Sequence, residues 1–140
     1  MLRTAFTELV GCEIPIQLAP MGGVPTPALI AAVNDGGGMG GFGAGPMPPE
    51  ALEPTLNQIR DLTEGPLAVN ILMPFVDPEA VRIAAERATV VDFYHGVPDA
   101  QLVNLAREHG ALVGWQVGSV DHAQAAVGSA RLSRSIVTLC

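Results

Sequence analysis

Strand-length apolar runs recur along this chain roughly every 20–25 residues, with helix-period segments between them. Leu67 to Ile71 is apolar except for Asn70, and Ala111 to Val117 is apolar except for Gln116. Strands without polar alternation are covered on both faces. Further runs at Ile16 to Ala19, Gly38 to Phe42, Val90 to Tyr94 and Ile136 to Leu139 bring the expected strands to six. Strict alternation of strand and helix requires a parallel sheet with helical crossovers.

The helix signals are local. Thr26 is an N-cap with Pro27 in the first turn, and Ala28, Leu29, Ala32 and Val33 share one face. Asn34-Asp35-Gly36 ends that helix, with Gly36 expected at positive φ. Pro48 and Pro49 open the next helical region, whose firm start is expected at Pro54. Asp77-Pro78 starts a third helix, Pro98 to His109 forms a fourth, and Ser119 caps a fifth that ends near Gly128. An open doubly wound sheet and a (β/α)8 barrel both fit this order. A complete barrel needs about 250 residues, so 140 residues would supply five to six N-terminal βα units of one.

Composition removes several functions. Hydrophobic residues make up 49% and charged residues 15%, which excludes a disordered chain. A formal charge of −7 argues against a nucleic-acid partner. No apolar run has membrane-spanning length, and the first residues do not read as a signal peptide. Cys12 and Cys140 make no disulfide framework, so a cytoplasmic setting is expected. No metal-ligand spacing occurs.

Candidate site residues collect at strand ends. Gly36 to Gly41 satisfies the GxGxxG spacing, but these glycines follow a helix and enter a strand. A dinucleotide site needs the reverse order, so that reading is rejected. Ala19-Pro20-Met21-Gly22-Gly23 is either an ordinary βα turn or a wall of backbone and thioether for a flat ring. Asn70 needs partners, supplied either by neighbouring backbone or by the edge of a heteroaromatic ring. Gln116 closes the fifth expected strand with an uncharged donor. His95 ends the fourth and is either a proton-transfer group or a plain loop histidine. His109 at a helix C-terminus and His122 in a first helical turn have sufficient structural reasons.

Taken together, these segments resemble the nitronate monooxygenase family, formerly called 2-nitropropane dioxygenases. The stretches that carry the likeness are Pro15 to Met21, Ala31 to Gly37, Leu67 to Ile71, Phe93 to Pro98 and Val117 to Val120. The resemblance covers about residues 8 to 127. It implies a flavoprotein with a TIM barrel that holds FMN at the carboxyl ends of its strands. Such an oxidoreductase converts alkyl nitronates and O2 to a carbonyl compound and nitrite. By the same resemblance Ala19, Pro20 and Met21 lie along the isoalloxazine, Asn70 and Leu72 flank the third-strand contact, and Gln116 takes the polar fifth-strand position. His95 is a pocket candidate and not the base.

The resemblance also marks what this sequence lacks. The family's histidine in an Ala-Gly-Gly-His type of segment is missing, as are the later glycine loops for the FMN phosphate. From Gly128 to Cys140 the sequence diverges, which makes residue 128 the expected point of truncation or frame shift. The expectation is therefore one incomplete barrel domain over residues 1–140 that binds FMN weakly or not at all by itself. Its open sheet edges are expected to favour self-association. Two other readings stay open: an NAD(P)H-dependent flavin reductase for quinones or enoyl thioesters, and a non-catalytic fragment that pairs with another chain.

Overall fold

A computed structural model describes residues 3–129 and 135–139 of the protein. The first element is a short helix, α1 (Ala5–Val10), at a place where the sequence reading has none. Thr4 and Thr7 build it by reciprocal capping: each hydroxyl accepts from the other residue's backbone N–H, at 3.1 and 2.9 Å.

The alternation then follows: α2 (Pro27–Asp35), β1 (Gly40–Gly43), α3 (Pro49–Leu62), β2 (Leu67–Leu72), α4 (Pro78–Arg87), β3 (Val90–Tyr94), α5 (Ala100–Glu108), β4 (Leu112–Val117), α6 (Val120–Ser129) and β5 (Ser135–Leu139). A 3₁₀ turn, Met73–Phe75, leads out of β2. Side chains of Thr26, Asp77, Asp99 and Ser119 cap the helices that follow them.

Three local expectations are corrected. Helix α3 begins at Pro49 and runs through Pro54. The proline forfeits one intrahelical bond, and full burial of Leu52, Leu56 and Ile59 outweighs that loss. The left-handed residue after α2 is Gly37 (φ 84°), not Gly36 (φ −76°). The run from Ile16 to Ala19 is not a full strand. It makes one parallel bridge, Gln17 to Met39, through Met39 N–H to Ile16 O and Leu18 N–H to Met39 O, each 2.9 Å.

Among the described residues five strands, all parallel, lie in the order β1-β2-β3-β4-β5. A doubly wound sheet reverses its order at a switch point. This sheet never does, and α2 packs on α3, α3 on α4 and α4 on α5 along one side. The architecture is therefore an open arc of a (β/α)8 barrel.

Side-chain alternation gives the arc two unlike faces. The convex face carries Phe42, Leu67, Val69, Ile71, Val91, Phe93, Val113 and Trp115 into a core with the helices. The rings of Phe93 and Trp115 stack there at 4.7 Å. On the concave face, Met39, Ala68, Val90 and Leu112 pack against Phe6, Leu9, Val10 and Cys12. Helix α1 thus closes the amino-terminal end of the concavity. One layer higher, the register aligns Gly43, Asn70, Asp92 and Gly114. Leu72, Tyr94 and Gln116 follow at the carboxyl end. Among the described residues no helix is long and apolar enough to cross a membrane.

Candidate active site

The chain segment after Gln17 crosses the concave face of β1. Only glycine permits this approach. A Cβ on Gly41 would stand 1.9 Å from the carbonyl oxygen of Leu18, and one on Gly43 would stand 2.7 Å from that of Pro20. The glycine-rich strand therefore acts as a bed for a second backbone, which brings Ala19 to Gly22 over the strand ends.

The result is a cleft of about 350 Å³ lined by Ala19, Pro20, Met21, Gly22, Gly43, Gly45, Asn70, Leu72, Tyr94 and Gln116. Its volume falls within the range of small-molecule sites, about 300–1,000 Å³. One wall is backbone, small residues and a thioether; the other presents two amides and a phenol. All six residues singled out for a flavin ring, namely Ala19, Pro20, Met21, Asn70, Leu72 and Gln116, border this one space.

His95 does not border it. That side chain lines an adjoining cavity of about 410 Å³ with Tyr94, Gly96, Val97, Gln116, Gly118 and His122. Its ring lies 3.8 Å from that of Tyr94, and its backbone holds φ at 64°. Such a conformation is uncommon for a residue with a Cβ. Trp115 Nε1 donates to the Gly96 carbonyl at 3.3 Å and pins the loop from the convex side.

The polar centre of the concavity is a residue the sequence reading passed over. Asp92, on β3, is 6% exposed. Asn70 Nδ2 donates to its Oδ2 at 3.3 Å and to its backbone carbonyl at 3.2 Å, and Gln116 Nε2 donates to the same Oδ2. Burial pushes the Asp92 carboxyl above the usual aspartate range, and the bonds from Gln116 and Asn70 pull against that rise. The signal available in the sequence was a lone charge inside Val90-Val91-Asp92-Phe93-Tyr94. Cys12, by contrast, is structural. Its thiol is buried below the site, donates to Ile14 O at 3.1 Å, and is pushed up by burial.

Residues 3–81 match the family model for nitronate monooxygenase. The chain belongs to the nitronate monooxygenase family. Within or near that family, the nitronate monooxygenase of Paraburkholderia phytofirmans is 41% identical over 69 residues, which cover 49% of this chain and 19% of that protein. A longer match joins the chain to (3aS,4S,5R,7aS)-5-hydroxy-7a-methyl-1-oxo-octahydro-1H-indene-4-carboxyl-CoA dehydrogenase of Rhodococcus jostii. There, identity is 31% over 124 residues, covering 88% of this chain and 35% of the dehydrogenase. Among solved structures, FabK from Thermotoga maritima superposes with a TM-score of 0.82 at 32% identity, over 92% of this chain and 42% of FabK. The nitronate monooxygenase-like chain thus spans about a third of the dehydrogenase's length and less than half of FabK's.

Proposed function

We propose that the cleft is the ring-facing part of an FMN site in an oxidoreductase that converts alkyl nitronates and O2 to a carbonyl compound and nitrite. The observation that carries this reading is the meeting of Ala19, Pro20, Met21, Asn70, Leu72 and Gln116 around one space. Their chemistry fits a flat heteroaromatic ring. Met21 offers a polarizable face. The backbone at Ala19 and Pro20 approaches without bulky side chains, and two amides supply polar contacts for the ring edge. Bound FMN would supply two-electron redox chemistry. The protein's own part is to hold the ring against the 19–22 segment, present the amides, and keep water out of the floor closed by α1. Neither His95 nor any other described residue is assigned as the base.

A second reading is an NAD(P)H-dependent flavin reductase for a thioester substrate. What favours it is the length of the match: the dehydrogenase of a CoA thioester aligns over 88% of this chain, against 49% for the Paraburkholderia enzyme. In both readings, O2 or a nicotinamide and a small organic substrate are the partners.

Titrating the isotope-labelled 140-residue chain with FMN tests the site. We expect weak binding, beyond the micromolar range, with backbone shifts concentrated at Ala19, Met21, Gly43, Asn70, Leu72 and Gln116. Shifts confined to other surfaces, or none, overturn the site. With FMN in excess, nitrite release from propyl-2-nitronate in air supports the first activity. Anaerobic bleaching by NADH without nitrite release supports the second. Gel filtration separates both from the third possibility, a non-catalytic fragment that acts only by assembling with another chain.

A further inference from the structure

Asn70 and Gln116 stand on β2 and β4, with Asp92 on β3 between them. Both amide nitrogens donate to one carboxylate oxygen, Asp92 Oδ2. The Asn70 nitrogen also donates to the backbone carbonyl of residue 92. An amide nitrogen carries two hydrogens, and an ionised carboxylate only accepts. The Asn70 amide nitrogen is therefore turned toward residue 92. Among the described residues its oxygen accepts no hydrogen bond, and Asn70 borders the cleft. Asp92 itself stays out of the cleft. It lines an adjoining space of about 240 Å³ that shares Ala19, Pro20 and Gln116 with the cleft, and it is the one titratable side chain in that lining.

We infer that Asp92 is a positioning residue that fixes Asn70 as an acceptor-only contact, so that the cleft selects a flat ligand whose edge carries an N–H donor. This inference rests on the reading of the cleft as a ring site. Its logic is one of satisfaction: a ligand edge that brings only acceptors leaves the Asn70 oxygen without a partner in a largely buried place.

The probes are FMN, whose ring carries an imide N–H, and its N3-methyl derivative, which lacks it. For the native 140-residue chain we expect the methyl group to weaken binding by about tenfold, the equivalent of roughly one well-placed hydrogen bond. In Asp92→Asn the side chain at 92 both donates and accepts, Asn70 is free to turn, and the ratio should fall to within about threefold. If the native ratio is near one, or the variant keeps the native ratio while losing thermal stability, Asp92 has only a structural role and the inference fails.

A ligand-free measurement separates this from failure of the ring-site reading. In a pH titration, the side-chain NH2 resonances of Asn70 and Gln116 should move with one shared midpoint, and that movement should vanish in Asp92→Asn. Tyr94, His95 and His122 border the neighbouring spaces and are the same in both proteins. Separate midpoints overturn the positioning role. A shared midpoint with no FMN binding leaves the positioning intact and removes the ring site together with its selectivity.

Discussion

A Cβ placed on Gly114 would come within 2.6 Å of Oδ1 of Asp92, the neighbour opposite it on the adjacent strand. The carboxylate occupies the volume that any larger residue at 114 would fill. Gly114→Ala is therefore expected to push the Asp92 side chain off its two amide donors. Overpacking of this kind costs about 1–3 kcal/mol. Urea unfolding measures the loss, and the Asn70 side-chain resonances should move with it. An alanine variant of native stability with unmoved resonances contradicts this account.

The charge on Asp92 gives a pH dependence with a definite sign. Burial raises its folded-state pKa above the unfolded value. The folded protein then binds this proton more tightly than the unfolded chain does. The group's favourable contribution is full below the unfolded pKa, about 3.9, and is lost as pH rises through the folded value. Other carboxylates titrate in the same range, so the quantity to measure is the difference in melting temperature between Asp92→Asn and the native protein. That difference should grow in the variant's favour from pH 4 to pH 7. A constant difference refutes the prediction.

Gly41 carries the segment that forms the cleft's small-residue wall. With its Cβ position 1.9 Å from Leu18 O, Gly41→Ala has to lift residues 17–20 away from β1. The expected cost is about 1–3 kcal/mol, with faster hydrogen exchange at Leu18, whose N–H is bonded to Met39 O. The strands β2 to β4 should keep their protection. Uniform loss of protection across the sheet counts against a local effect.

Asn34 is a brace between elements. Its Nδ2 donates to Gly38 O at 3.1 Å and to Pro66 O at 2.9 Å, while its Oδ1 accepts from Thr63 Oγ1 at 3.1 Å. It thereby ties the end of α2 to the entries of β1 and β2. Asn34→Ala should cost about 2–3 kcal/mol, near 1 kcal/mol for each neutral bond. Asn34→Asp should do no better, because a carboxylate cannot donate to the two carbonyls. Thermal melts of both variants at neutral pH make the comparison.

What the sequence revealed depended on how local the cause was. The runs 67–72, 90–94 and 112–117 fill buried strands, and composition alone marks them. The caps at Thr26, Asp77 and Ser119 are equally local. The segment 16–19 looked like a strand because it is apolar, yet tertiary contact with β1 decides its path, and it makes a single bridge. Helix α1 escaped notice because its box uses Thr7 where Glu or Gln is usual. Pro54 reads as a boundary in the sequence because the packing that holds it inside α3 comes from other elements. In the site, Ala19 to Met21, Asn70 and Gln116 were visible as interruptions at strand ends. Asp92 was not, since its meaning lies in what β2 and β4 place beside it.

The N-terminal helix has a consequence for traffic through the molecule. Phe6, Leu9 and Val10 seal the lower end of the hollow against Met39, Ala68, Val90 and Leu112. A guest in the cleft therefore has no way out through that end. Met21 borders the cleft and Val97 the adjoining cavity, and both are solvent-exposed. Loosening α1 would give the hollow a second opening, at its amino-terminal end.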